Sequence, residues 1–332
     1  MDPTGQAAIM LKIRKLTGRA AATAVAIGVA AGALTGCSST SGSATAAKSG
    51  PEPTGTAAVR TGTGTAAATA TATDTAAFNR LEARYHAQLG VYAVDTGSGR
   101  TVAFQADQRF AFCSTIKAFA VGELLRRDTD AQLGQTLTYS ASDLVDYSPV
   151  TSQHVHGGMT LTSVMTAAIE VSDNTALNLL LGRIGGPTAL QSALRSLGDS
   201  TTNVDRTEPT VNSAVPGDVR DTSTPQALAE DLRAFVLGDV LTADRRTLLI
   251  SWLEANTTGG PYIRAAVPTG WKVGDKTGNG DYGTRNDIAM LWPQHGAPIV
   301  IAVLSNRGEN ADASSADGLI ADATRLALQQ LS

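Results

Sequence analysis

Ser114-Thr115-Ile116-Lys117 sets a hydroxyl and an amine three residues apart. On a helix those two side chains share a face, so the amine can stand beside the hydroxyl. A serine hydroxyl is a poor nucleophile until a neighbouring base takes its proton. At a helix start, free backbone N–H groups and the positive end of the dipole are also available to a developing oxyanion. About one such tetrapeptide is expected by chance in a chain of this length, so alone it reads as Ser114 capping a helix and Lys117 in solvent. Ser172-Asp173-Asn174 offers a hydroxyl that can relay a proton and an amide that can hold a carbonyl, although all three residues are also good helix caps. Lys276-Thr277-Gly278 ends a strand-like run. There a cation and a hydroxyl could bind a carboxylate while Gly278 lets a ligand lie against the strand edge. The plainer reading is a polar strand end, and each tripeptide alone favours its plainer reading.

The three occur together, in this order, on helix, loop and strand contexts, and the set is shared by class A β-lactamases and penicillin-binding proteins. From about Phe78 to the C-terminus the sequence resembles the class A β-lactamases. Arg206-Thr207-Glu208-Pro209-Thr210-Val211-Asn212 is similar to the loop with which that class holds a water over an acyl-enzyme. The resemblance implies a role in deacylation for Glu208 and Asn212, and a loop fastened by Arg206 with Asp221. It further implies Ser114 as nucleophile, Lys117 or Glu208 as its base, and Ser172 as proton relay. The backbone N–H groups of Ser114 and Asn279 would form the oxyanion hole. Tyr147 would wall the cleft mouth, Asn174 would orient the acyl amide, and Lys276, Thr277, Gly278 and Arg285 would receive the substrate carboxylate. For Tyr147 the plainer reading is a surface side chain before a turn, and for Arg285 a cross-strand salt bridge. The pattern departs at Asn279, where relatives carry smaller residues. Cys113 precedes the nucleophile as in relatives that bridge it to a second cysteine, but that cysteine would fall at Gly280, so Cys113 reads as a small buried apolar residue. His154-Val155-His156 lacks a supporting cluster of ligands at metal spacing. Neither a metal nor another cofactor is expected.

The implied activity is hydrolysis of the β-lactam ring of penicillins and cephalosporins through a Ser114 acyl-enzyme. The alternatives are a penicillin-binding D,D-peptidase, which would not need the Glu208–Asn212 pair, and a β-lactam-binding sensor, which would be expected to carry a transmembrane coupling segment. The partner is a small-molecule β-lactam and the chain is expected to be a monomer. A net charge of −4 and 17% charged residues give no basic stretch for nucleic acid and no strong attraction to anionic membranes.

Around these residues the chain divides into unlike parts. Residues 1–37 read as a targeting segment: Lys12, Arg14, Lys15 and Arg19 precede an Ala- and Gly-rich apolar stretch. That stretch is shorter than the roughly 20 residues a bilayer needs. Its end, Leu34-Thr35-Gly36-Cys37, resembles the lipobox of bacterial lipoproteins, which implies lipidation at Cys37 and an exported protein, anchored on the outer face of the cell membrane or secreted. An ordinary signal peptide with a small-residue cleavage site is the plainer reading. With only Cys37 and Cys113 in the chain, no disulfide framework accompanies export. Residues 38–75 are mostly Thr, Ala, Gly, Ser and Pro, without an aromatic, too polar and small to offset ordering entropy. They read as a tether spanning roughly 35 Å root-mean-square.

The catalytic domain is expected over residues 76–332. Phe78, Leu81, Tyr85 and Leu89 recur at helical spacing after the capping residues Asp74 and Thr75. Strand-like runs follow at 91–95 and 101–105. Helical patterns cover 116–127, 161–169, 174–184, 225–237 and 244–255. Strands return at 271–275, 287–292 and 299–304, and an amphipathic helix over about 315–330 closes the chain. This order predicts an α/β part from both chain ends (76–110 and 256–332), with an antiparallel sheet flanked by helices. An all-helical part (111–255) is inserted between, and the site lies in the cleft between the two.

Overall fold

A computed structural model describes residues 73–332. The targeting segment with Cys37, and the tether up to residue 72, lie outside the described residues. Helix α1 (Thr75–Tyr85) starts where Asp74 accepts the Ala77 N–H at 3.1 Å, the N-cap that the sequence offers. His86 ends it in the left-handed region at φ 49°. Leu89, expected on this helix, therefore belongs to strand β1 (Gln88–Asp95), where it is fully buried. Strand β2 (Thr101–Phe104) returns against β1, and a short β3 (Phe110–Ala111) leads into a 3-10 turn at Cys113–Thr115.

The middle of the chain is mostly helical: α2 (Ile116–Arg127), α3 (Asp130–Leu133), α4 (Leu161–Glu170), α5 (Asn174–Ile184), α6 (Pro187–Ser196), α7 (Pro225–Val236) and α8 (Ala243–Glu254). Its strands are short: β4 (Thr136–Leu137) pairs with β5 (Met159–Thr160), and β6 (Thr222–Ser223) pairs with β3. Four expected helices agree with α2, α4, α7 and α8 to within a residue at each end, and a fifth, α5, has the expected limits. Helix α6 was not expected. Its apolar signal is carried by Leu190 and Leu194, its only buried residues, one turn apart behind Pro187. The chain then forms β7 (Lys272–Asn279), β8 (Arg285–Trp292), β9 (Ile299–Asn306) and α9 (Asp317–Leu331).

The five long strands make one antiparallel sheet in the order β2-β1-β9-β8-β7. Alternate side chains of its central strands enter two separate cores, as a pleated sheet covered on both faces requires. Ile299, Ile301, Val303, Ala289 and Leu291 pack with Phe78 of α1 and with Leu319, Ile320 and Ala323 of α9. Val300, Ala302, Leu304, Ile288 and Met290 pack with the helices of the middle segment. The sheet, drawn from both ends of the domain with helices on both faces, is the architecture that the sequence predicts. The second core reaches from β8 to α2, so the helix that starts just after Ser114 is fixed to the sheet that carries Lys276.

Candidate active site

The turn Cys113–Thr115 delivers Ser114 directly to the start of α2, and Lys117 follows on the first turn of that helix. Cys113 holds φ at 50°, and Ser172, in the turn between α4 and α5, holds 58°. Neither is glycine, so each carries backbone strain on the order of 1–3 kcal/mol. Such strain persists where the surroundings over-determine it. Asp173 supplies part of that constraint: fully buried, it caps α5 through the Ala176 N–H at 2.9 Å and accepts the Thr151 N–H at 2.9 Å.

Lys117 is fully buried, and its Nζ lies 2.8 Å from Ser114 Oγ, 2.7 Å from Asn174 Oδ1, 2.8 Å from Ser172 O and 3.3 Å from Ser172 Oγ. Glu208 Oε1 stands 3.0 Å from the same nitrogen and 3.5 Å from Ser114 Oγ. Burial lowers the Lys117 pKa below the ordinary lysine value, with the Glu208 carboxylate pulling the other way. A depressed lysine against a serine hydroxyl is the arrangement that lets an amine take up the serine proton.

Glu208 precedes Pro209 through a cis peptide, and its other oxygen accepts from Asn212 Nδ2. Asn212 Oδ1 is buried without a protein hydrogen-bond partner, beside a carboxylate whose neighbour is Ser114 Oγ. A buried acceptor of that kind fits a polar ligand held between the two side chains. The loop is fastened at its base by Asp221. This buried carboxylate accepts the Asp205 N–H at 2.8 Å, the Arg206 N–H at 3.0 Å and the Arg206 guanidinium. Asp221 O also accepts the Phe112 N–H at 3.1 Å, which ties the loop's anchor to the approach to Ser114.

Lys276 lies on β7, fully buried, with Nζ 3.0 Å from Ser172 Oγ. Burial, then the charge of Lys117, push its pKa down to about 7. Thr277 Oγ1 meets Thr258 Oγ1 at 2.6 Å. A Cβ on Gly278 would stand 2.7 Å from Phe112 O, so a side chain there would collide with the approach to the turn that carries Ser114.

A cleft of about 750 Å³ opens over these groups, lined by Ser114, Ser172, Asn174, Asn212, Thr277 and Asn279 among others. Tyr147 lines it too and is 62% exposed, as a residue at the mouth would be. Arg285 lines the cleft from β8. It is also engaged from behind: Nε donates to Asp317 Oδ1 at 3.0 Å and Nη2 to Ser315 Oγ at 2.7 Å, and the guanidinium lies over the Tyr262 ring at 4.9 Å. Cys113 is buried, and burial and nearby carboxylates raise its pKa well above the ordinary thiol value. His154 and His156 do not line the cleft.

Two residues that matter to this geometry escaped the sequence reading. Asn178 brackets the backbone of Glu208, donating to Glu208 O at 3.0 Å and accepting the Glu208 N–H at 2.8 Å. Its signal was its place one helical turn after Asn174 on a helix otherwise rich in leucine. Asn286 donates to Ala111 O at 2.7 Å and Phe112 O at 3.2 Å. Nothing in its local sequence marks that reach.

Residues 75–331 match the model of the β-lactamase enzyme family. A β-lactamase of Amycolatopsis lactamdurans is 58% identical over 254 residues, covering 76% of this chain and 84% of the relative. β-Lactamase 3 of Bacillus cereus is 51% identical over 255 residues, covering 77% and 80%. Among solved structures, a class A β-lactamase from Clostridium kluyveri superposes with a TM-score of 0.76 at 47% identity, covering 77% of this chain and 98% of that one. A halotolerant bacterial β-lactamase superposes with 0.75 at 52% identity, covering 76% and 98%.

Proposed function

We propose that the chain, which belongs to the class A β-lactamases and hydrolyses the β-lactam ring, acts on penicillins and cephalosporins through an acyl-enzyme on Ser114. One observation carries the assignment: Lys117 Nζ, fully buried, sits 2.8 Å from Ser114 Oγ at the cleft floor and 3.0 Å from Glu208 Oε1. Lys117, or Glu208 through a water, takes the Ser114 proton as Oγ attacks the lactam carbonyl. The backbone N–H groups of Ser114 and Asn279 stabilise the oxyanion, a contribution of about 3 kcal/mol per donor. The C–N bond then breaks, and Ser172 passes a proton to the departing nitrogen. Glu208, with Asn212, directs a water at the acyl ester and frees Ser114. Lys276, Thr277 and Arg285 hold the substrate carboxylate along Gly278, Asn174 orients the acyl amide, and Tyr147 walls the mouth.

The Glu208–Asn212 pair favours this reading over a D,D-peptidase, which needs no such pair, and over a sensor, which keeps its acyl group. Intact-mass and stopped-flow measurements with excess penicillin test it. The native enzyme turns over repeatedly with a transient mass gain, and Glu208→Gln accumulates the adduct on Ser114. Rapid turnover by Glu208→Gln would remove Glu208 from its role.

The folded part acts as a monomer and is exported, held by lipid at Cys37 through the tether of residues 38–75. The lipobox-like Leu34-Thr35-Gly36-Cys37 supports that reading. Labelling of growing cells with a palmitate analogue should mark the native chain and not Cys37→Ser, and equal labelling would exclude Cys37 as the acceptor.

A further inference from the structure

An oxyanion hole built from Ser114 and Asn279 has its two halves on separate elements. One belongs to the turn before α2, the other to the last residue of β7. The turn is not a strand of the main sheet, so the sheet's ladder does not set the distance between them.

The structure shows what does join them. Asn286, fully buried on β8, is the cross-strand partner of Gly278, the residue just before Asn279. Its Nδ2 reaches out of the sheet to Ala111 O at 2.7 Å and Phe112 O at 3.2 Å, the carbonyls that enter the nucleophile turn. Its Oδ1 accepts the Ser305 N–H of β9 at 3.3 Å, so both ends of the amide are held. Phe112 O also accepts Thr115 Oγ1 at 2.8 Å. The missing Cβ of Gly278 lets the two elements close on this contact, since that atom would stand 2.7 Å from Phe112 O and 3.3 Å from Asn286 Cβ.

We infer that Asn286 is a positioning residue for acylation: its amide fixes the nucleophile turn against β7 and so sets the spacing of the Ser114 and Asn279 N–H groups. The inference rests on the proposed assignment of those two groups as the oxyanion hole. An oxyanion donor works over a narrow range of about 2.7–3.1 Å, so a small drift of the turn weakens catalysis without removing any group that touches substrate.

The test places Asn286→Ala in the Glu208→Gln background and acylates it with a penicillin. Isotope-edited infrared spectra then read the ester carbonyl, whose stretching frequency falls as the hole polarises it. The expected results are a band shifted to higher frequency and an acylation rate lower by about tenfold or more, with initial substrate binding unchanged. Thr115→Val, which removes the other side-chain donor to Phe112 O, should shift the band the same way by less. Thr324→Val, a buried loss within α9, should lower Tm without moving the band.

A lowered Tm in Asn286→Ala with the native band and acylation rate would reduce Asn286 to a structural role and overturn the inference. If Asn286→Ala does not fold, Thr115→Val decides, and an unmoved band there overturns it equally. Absence of any Ser114 adduct in the Glu208→Gln parent would instead overturn the acyl-enzyme reading, and the inference with it.

Discussion

Lys117 and Lys276 converge on one hydroxyl: their Nζ atoms lie 3.3 and 3.0 Å from Ser172 Oγ. The charge of Lys117, so close to a shared partner, adds to burial in making Lys276 easier to deprotonate.

The first consequence is a pH dependence. Lys276, held at about 7 by burial and by Lys117, is charged below that pH and neutral above it. The kcat/KM for a carboxylate-bearing substrate should therefore fall on the alkaline side with an apparent pKa near that of free Lys276. The limb in kcat should lie higher, because a bound carboxylate favours the ammonium form. Lys276→Arg keeps its charge throughout and should lack the limb whatever its absolute rate. An unchanged alkaline limb in that variant would assign the titration elsewhere.

Asp221 fastens the loop that carries Glu208, and Asp221→Ala leaves the Arg206 guanidinium and two backbone N–H groups without their acceptor. The expected loss is about 3 kcal/mol, the lower end for a broken buried pair, because Arg206 also lies 3.7 Å from Asp218. Deacylation should fall more than acylation, since the loop positions Glu208. Denaturant unfolding and single-turnover kinetics measure the two effects, and equal losses in both steps would contradict the loop's assignment.

Two glycines make opposite predictions. At Gly278 a Cβ meets backbone 2.7 Å away, so Gly278→Ala should destabilise by about 1–3 kcal/mol and cut kcat/KM by about a hundredfold or more, the scale of one lost oxyanion donor. At Gly182, exposed on α5, a Cβ meets nothing within 4 Å. Gly182→Ala should therefore stabilise by about 0.5–1 kcal/mol at native activity. Thermal melts and steady-state rates check both.

Asp231, on α7, is buried with Oδ2 unpartnered. Burial, then the adjacent Asp199 carboxylate, raise its pKa from 3.8 to about 9. The native chain thus holds a proton that the unfolded chain has released. Stability from this group is greatest below the unfolded value and declines as pH rises from about 4 towards 9. Asp231→Asn, which can still donate to Asp199, should flatten the decline and raise stability at pH 8 on the order of 1–2 kcal/mol. A variant as pH-sensitive as the native enzyme would refute it.

That Ser114, Lys117, the Ser172–Asn174 turn, Glu208 and the Lys276–Gly278 strand belong to one cluster was legible because each lies in a short run of adjacent residues whose order survives folding. Helix α5 was legible for a related reason, since it buries Ala176, Leu177, Leu180, Leu181 and Ile184 at helical spacing. Leu89 was misplaced because a helical period continued past His86, whose left-handed backbone leaves no mark on that period. Asn286 and Asn178 were invisible for the opposite reason. Their partners, Phe112 and Glu208, are distant in sequence, and nothing local distinguishes an asparagine that braces a turn from one that faces water. Arg285 was read as a cleft residue or as one half of a cross-strand salt bridge; it lines the cleft, and its ion pair runs to Asp317 of α9, which reaches it only across the fold.

Strand β1 lies between β2, which follows it at once, and β9, to which it pairs over Gln88–Asp95 and Ile299–Asn306. During synthesis, that second edge stays open until nearly the whole chain has emerged. Every shorter length presents an unpaired strand and only part of each core. A nascent chain wired this way cannot complete its sheet before β9 is made, so its cores close late.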